Sequence, residues 1–249
     1  MESFSDYDPF ARFYQRHWSR EVPVGILAVI ERLLLPRLPR GARILDLCCG
    51  TGYTLSELTA RGFEVTGLDR SEEMLGFARR AAPESRLILA DARSFELPPV
   101  YDAVISTFDS LNHVMTLTDL TAVFGNVYRA LVPCGLFLFD MNMEQAFLHH
   151  WADYFAIVED EEVCVLRGTY DRGRKIARYD ITMFRREGET WRRTDTVISE
   201  RCYTAKEVRR ALKAAGFKEV SSHNAEKEMA LAEHVGRTFF LARKEDVKA

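Results

Sequence analysis

Residues 42–53, Ala42-Arg-Ile-Leu-Asp-Leu-Cys-Cys-Gly-Thr-Gly-Tyr53, constrain the fold more than any other stretch of the chain. The apolar run from Ile44 to Leu47 carries one carboxylate, Asp46, and breaks at Gly50-Thr51-Gly52 before a helical pattern begins. A buried strand that feeds a tight turn and a helix N-terminus builds the crevice in which open α/β sheets hold nucleotide-like ligands. Glycine at the turn lets backbone approach a ligand, and the helix start presents unpaired N–H groups. Asp46 needs its own account. A carboxylate in an apolar strand is costly to bury unless a cation or a hydrogen-bond donor meets it.

Strands and helices then alternate. Thr54–Arg61 predicts a helix ended by Gly62, and Phe63–Leu68 a strand closed by Asp69. Ser71 caps the next helix, with Glu72 and Glu73 in its first turn. Arg86–Ala90 is a third strand ending at Asp91, and Tyr101–Thr107 a fourth. Leu117–Leu131 has the apolar spacing of a helix, and Pro133-Cys134-Gly135 turns into the strand Leu136–Asp140. This pattern predicts an α/β fold with a right-handed, doubly wound, mostly parallel sheet.

From Ala156 to Cys202 the texture changes to polar–apolar alternation. Three segments, Ala156–Thr169, Lys175–Arg185 and Thr190–Cys202, are joined at Asp171-Arg172-Gly173 and Glu187-Gly188, which predicts an inserted antiparallel β meander. A capped helix from Thr204 and strands near Lys218–His223 and Arg237–Ala242 follow. One domain, 1–249, is expected, with 1–20 as an N-terminal lid segment and a stretch from about 145 to 203 as an inserted β lid.

With 47% hydrophobic and 29% charged residues, the 249-residue chain can bury a large core and is not a disordered one. A formal net charge of −3 offers no general attraction to nucleic acid or to an anionic membrane. The stretch Val24–Leu35 is broken by Glu31-Arg32 and is too short to span a bilayer. The acidic N-terminus lacks a hydrophobic signal core, so a cytoplasmic protein is expected. The five cysteines form no Cys-x-x-Cys pair, and the neighbours His149-His150 diverge on any regular element. No metal site is expected.

Nicotinamide and flavin enzymes also use a strand–Gly-x-Gly–helix, but with a third glycine three residues after the second, where this chain has Leu55. The run Leu45-Asp46-Leu47-Cys48-Cys49-Gly50-Thr51-Gly52 instead closely resembles the first motif of class I S-adenosylmethionine-dependent methyltransferases. The resemblance extends from about Tyr7 to Ala242, in most detail up to Asn142. It implies a Rossmann-like seven-stranded sheet with the final strand inserted antiparallel, and S-adenosylmethionine as cofactor. It also implies a small-molecule methyl acceptor with an N or O nucleophile, as in the amino-sugar N-methyltransferases. In the first motif the implied cofactor-binding residues are Asp46, facing the α-amino cation, with Cys48, Gly50 and Gly52. Asp69 would accept from the ribose hydroxyls, with Arg70 beside it, and Met74 would pack on the adenine. Asp91 would accept from the adenine amino group, next to the backbone of Ala92. Thr107 and Phe108 would lie toward the methionine moiety, and Asp109, Asp140 and Asn142 toward the acceptor.

Two residues are implied in catalysis. Tyr7-Asp-Pro-Phe-Ala-Arg-Phe-Tyr14 resembles the Tyr-Asp-x-Phe-Ala-x-x-Tyr lead-in of many small-molecule methyltransferases, whose second tyrosine, here Tyr14, approaches the sulfonium. Asp109-Ser-Leu-Asn-His113 resembles the loop after the fourth strand of the amino-sugar enzymes, which ends in a histidine; His113 is the candidate proton acceptor. The family carries Pro-Gly-Gly where this chain has Pro133-Cys134-Gly135. Alternatives are an RNA or protein acceptor, which calls for a basic groove, a noncatalytic cofactor-binding module, and a nicotinamide oxidoreductase, which Leu55 opposes.

Overall fold

Two short helices lead in, α1 (Ala11–His17) and α2 (Pro23–Leu33). Strands and helices then alternate: β1 (Arg43–Leu47), α3 (Tyr53–Ala60), β2 (Glu64–Asp69), α4 (Glu72–Ala81), β3 (Arg86–Leu89), β4 (Tyr101–Ser106), α5 (Leu117–Ala130), β5 (Leu131–Asn142) and α6 (Glu144–His150). An antiparallel excursion follows, β6 (Tyr154–Val158), β7 (Glu162–Asp171), β8 (Ile176–Glu187) and β9 (Thr190–Arg201). The chain closes with α7 (Ala205–Ala214), β10 (Glu219–Asn224), α8 (Ala225–Met229) and β11 (Arg237–Arg243). This computed structural model describes residues 5–19, 23–151 and 153–246; residues 1–4 and 20 of the expected N-terminal segment lie outside them.

The main sheet has seven strands in the order β10-β11-β5-β4-β1-β2-β3. From β3 to β5 all neighbours run parallel, and β11 is antiparallel to both β5 and β10. Alternation along each strand sends side chains to opposite faces. Leu45 and Leu47 join Phe137 and Phe139 under the apolar stripes of α5 and α7. Ile44 and Ile105 instead pack with Ile30, Leu55, Leu58 and Met229 from the helices of the other face. The strand order reverses between β1 and β4, so the carboxyl ends of these two strands part to form a crevice.

The inserted sheet has four strands, not three, in the order β6-β7-β8-β9. The expected segment Ala156–Thr169 splits into β6 and β7 at Glu159-Asp160-Glu161, a purely acidic turn with no glycine or proline to mark it. A second difference concerns Pro133-Cys134-Gly135, which lies within β5 rather than before it. Tyr101 pairs with Leu131 and Ala103 with Leu136, so β5 bulges between them, and Cys134 takes φ 62°. One face of the inserted sheet has a core of its own: Cys164, Leu166, Ile181, Met183 and Ile198 bury Phe10 and Phe13 of the N-terminal segment. The lead-in and the inserted sheet therefore pack as one body above the crevice.

Candidate active site

A cavity of about 1410 Å³ opens at the carboxyl ends of β1, β2 and β4, under Tyr7, Phe10 and Tyr14 and beside Leu166, Ile181 and Ile198 of the inserted sheet. Small-ligand pockets occupy roughly 300–1,000 Å³, so this one has room for two reactants. At one end lies the turn between β1 and α3, where Cys48, Gly50 and Gly52 take φ of 61°, 53° and 83°. A side chain built at Gly50 meets nothing within 4 Å, so the backbone there stays open to a ligand. One at Gly52 would come within 2.8 Å of the backbone of Ala78, so that glycine is required for α3 to start against α4.

Asp69 ties this turn to the end of β2. Its carboxylate accepts the Gly50 N–H at 2.8 Å on one oxygen and the Ser71 N–H at 2.9 Å on the other, with the Arg70 N–H a further donor. Burial raises Asp69 above the usual carboxyl range against these donors. Asp46 is pushed up to about 7 by burial and by the charge of Asp69, with a backbone hydrogen bond from Leu55 opposing. Two buried carboxylates so close together suit a ligand that brings an ammonium and a diol, the two groups S-adenosylmethionine offers. Burial also raises the thiols of Cys48 and Cys49, which leaves them protonated and unreactive. Asp91 is gripped by its neighbour Arg93 on both oxygens, at 2.9 Å from Nε and 2.5 Å from Nη2, which holds its carboxyl low.

At the other end one guanidinium faces three carboxyl groups. Phe108 and Asp109 are consecutive left-handed residues, φ 68° and 49°, a conformation costing on the order of 1–3 kcal/mol each. Asp140, fully buried on β5, accepts both their N–H groups, at 2.7 and 3.0 Å, and so holds the turn. Arg237 opens β11 opposite Asn142, binds Asp140 through Nη1 and reaches Asp109 with Nη2 at 2.8 Å. The Asn142 amide donates to Asp109 at 2.9 Å. Glu200, brought in by β9, hydrogen-bonds to Asp109; burial, then the charge of Asp109, pushes its carboxyl far above the usual range. Asp109 is partly buried, and against that desolvation Arg237 and its other partners hold it below that range.

His113 closes this end. Its Nδ1 lies 2.9 Å from the Ser199 carbonyl oxygen, which can only accept, so Nδ1 carries the proton. Nε2 then holds the lone pair and receives the Tyr7 hydroxyl at 2.9 Å. Burial lowers the His113 pKa, with Asp109 opposing, and the ring is neutral at physiological pH.

Asp46, Cys48, Gly50, Asp69, Arg70, Met74, Asp91, Ala92, Thr107, Phe108, His113 and Tyr14, all expected from the sequence, border this one cavity; Gly52 does not. Asn142 is on the wall, whereas Asp140 supports it from beneath. Two wall residues, Glu200 and Arg237, were passed over in the sequence, and Tyr7 was noted only as the start of the lead-in motif. Arg237 carried a signal, a cation opening the apolar strand that runs to Ala242, and so did Glu200, on the same side of β9 as buried Ile198. Tyr7 shows its role only through His113. His17, Glu159 and Glu162 bring possible ligand atoms within 4.8 Å of one another. Arg12 and Arg16 already pair with those carboxylates, so the group reads as an ionic tie rather than a metal centre.

A family model described as a methyltransferase domain matches residues 44–135. YqeM of Bacillus subtilis (strain 168), named as a methyltransferase, is 35% identical over 185 residues, 72% of this chain and 75% of that protein. An S-adenosylmethionine-dependent methyltransferase from Clostridium acetobutylicum ATCC 824 superposes with a TM-score of 0.80 at 22% identity, over 97% of this chain and 100% of that one. CalS10 from Micromonospora echinaspora, an amino pentose methyltransferase solved with S-adenosylmethionine bound, gives 0.71 at 25% identity, over 95% of this chain and 96% of that one. With the strand order, the glycine turn and the acid at the end of β2, these likenesses lead to one conclusion: the chain belongs to the class I S-adenosylmethionine-dependent methyltransferases.

Proposed function

We propose that this enzyme methylates the nitrogen of a small-molecule amine, held at the Asp109–Asn142–Glu200 end of the cavity beside Tyr7 and His113. The observation that carries the reading is the excess of buried acid around Asp109. When a neutral amine is methylated, positive charge develops on its nitrogen, and fixed acid groups in a water-poor site stabilise that charge. A hydroxyl acceptor develops negative charge as it loses its proton, and the same acids oppose it. The roof formed by the lead-in and the inserted sheet favours a small acceptor over a polymer. CalS10 is described as an amino pentose methyltransferase, so its acceptor is an amine-bearing small molecule.

Bound S-adenosylmethionine supplies a methyl group already activated on a sulfonium. The chain's own work is then positioning, water exclusion and proton handling. Asp46 takes the ligand's ammonium, Asp69 the ribose hydroxyls, and Met74, Asp91 and Ala92 the adenine end, with Arg70 beside Asp69. Thr107 and Phe108 face the methionine moiety, and the ring of Tyr14 faces the sulfonium. An acceptor that arrives as an ammonium gives a proton to the Tyr7 oxygen while Tyr7 passes its own to Nε2 of His113. The imidazolium so formed keeps its Nδ1–H on Ser199.

No helix among the described residues is long and apolar enough to cross a membrane. The protein is read as cytoplasmic, a single domain whose N-terminal and inserted segments close over the acceptor. Incubation with methyl-labelled S-adenosylmethionine, a panel of primary amines and the matching alcohols tests the reading. Label should enter the amines. Label in the alcohols alone, or in tRNA or protein alone, would overturn it.

A further inference from the structure

Resting on the amine reading above, we propose that Glu200 is the residue that recognises the acceptor, its carboxyl group receiving an arriving ammonium beside Asp109. The basis is geometric. Glu200 belongs to β9 of the inserted sheet, yet its side chain reaches the main domain, 3.6 Å from His113 Nε2 and 3.5 Å from the Asn142 amide nitrogen at the end of β5, which also donates to Asp109. It borders the cavity and is 2% exposed.

The charged and titratable groups facing Glu200 are Asp109, Arg237, His113, Tyr7 and Tyr179. Arg237 is the cation among them, and its two terminal nitrogens are directed to Asp140 and Asp109. His113 approaches Glu200 at 3.6 Å, but Nε2 is engaged with the Tyr7 hydroxyl and the ring is neutral. Two neighbouring acids, one buried and one partly buried, resist ionising together without a cation between them. Asp109 has Arg237 and stays ionised, so the proton resides on Glu200.

A carboxylic acid whose hydrogen bond goes to a carboxylate marks the place where an N–H donor of positive charge fits. The exchange balances: Glu200–COOH, Asp109–COO⁻ and a free R–NH₃⁺ become Glu200–COO⁻, Asp109–COO⁻ and a bound R–NH₃⁺, with one proton released to solvent. No covalent bond to carbon changes. An uncharged alcohol cannot drive this exchange, so the pair selects amines over alcohols of the same shape. Because Glu200 comes from the inserted sheet, the acceptor site is complete only when that sheet is docked.

The test uses the full chain with side-chain carboxyl ¹³C-labelled glutamate, saturated with S-adenosylhomocysteine, and assigns Glu200 by the signal lost in E200Q. At neutral pH in sodium chloride the Glu200 carbon should resonate as a carboxylic acid. In ammonium chloride of equal concentration, with ammonium ion as the probe, its titration midpoint should move to lower pH. A carboxylate signal in sodium chloride at neutral pH, or the same midpoint in both salts, would overturn the proposal. E200Q retains a donor to Asp109 but cannot exchange a proton. For an amine found to be methylated, it should raise KM roughly 10- to 100-fold through loss of a charged hydrogen bond, with S-adenosylmethionine affinity unchanged. The wild-type fall of KM with rising pH through the Glu200 midpoint should disappear in E200Q. An unchanged KM would overturn the role of Glu200 while leaving the amine reading intact. If only alcohols are methylated, the amine reading fails, and the carbon signal still reports whether the pair holds a proton.

Discussion

Asp46 is a residue whose burial costs the fold stability, a cost that the proposed role at the ligand's ammonium accounts for. Burial and the neighbouring charge of Asp69 raise its pKa from 3.8 to about 7. A rise of about three units corresponds to a stability penalty on the order of 4 kcal/mol. The folded value lies above the unfolded one, so stability is complete below pH 3.8 and is lost as pH rises toward 7. Asp46→Asn keeps the shape without the charge. In the ligand-free protein its melting temperature should exceed that of the wild type by an increasing margin from pH 4 to 7, and by a constant one above. The same substitution should weaken S-adenosylmethionine binding, since the ligand ammonium loses its counter-charge. Calorimetry that finds equal affinity in a folded mutant would remove Asp46 from the cofactor site. His113 and Tyr7 form the other pair to test, because the hydroxyl lies on the nitrogen that would take the proton. His113→Ala should lower turnover by roughly 10²–10⁴-fold, and Tyr7→Phe should follow it in direction. Wild-type activity should fall in acid with a midpoint below 6.5, because burial favours the neutral ring and only that form accepts a proton. Near-wild-type turnover in both variants would end the relay, and a modest loss would indicate positioning.

Among the elements, those that were legible carry their own local signature. β1 and its glycine turn were readable because strand, turn and helix start are contiguous and each uses residues suited to it. The capping box at Thr204 and Glu207 marked α7 for the same reason. The split of β6 from β7 was not readable, since four consecutive acids, Glu159 to Glu162, break no periodic pattern and lack turn residues. Their purpose is tertiary. Glu162 is 1% exposed and accepts Arg16 at 2.7 Å, so α1 is fastened to the tip of the inserted sheet. The bulge in β5 was hidden similarly, because Pro133-Cys134-Gly135 reads as a turn until pairing with β4 shows that the strand resumes its register around it. Local chemistry thus announces an element when the residues that need one another are neighbours in the chain.

Across the whole molecule the same distinction separates the two ends of the cavity. The end of the cavity proposed for the cofactor is assembled largely from the strand ends of one continuous stretch, residues 46–108, and the residues named there from the sequence, Gly52 apart, border the cavity. At the other end Asp109, Asp140 and Asn142 were named from the strand ends, but Glu200 and Arg237 share no spacing with them and join them only when the inserted sheet and β11 are in place. A ligand that enters between the main sheet and its roof contacts both bodies, so binding should stabilise the fold as a unit. At a concentration a hundred times its dissociation constant, a ligand specific for the folded state adds about 2.7 kcal/mol. In a protein of this size that corresponds to a rise in melting temperature of roughly 5–10 °C. S-adenosylmethionine and S-adenosylhomocysteine should each produce such a rise. NADH should not, because Leu55 occupies the position where a pyrophosphate-binding turn needs glycine. A shift with NADH and none with S-adenosylmethionine would reverse the assignment of the glycine turn, and the roles of Asp46 and Asp69 would fall with it.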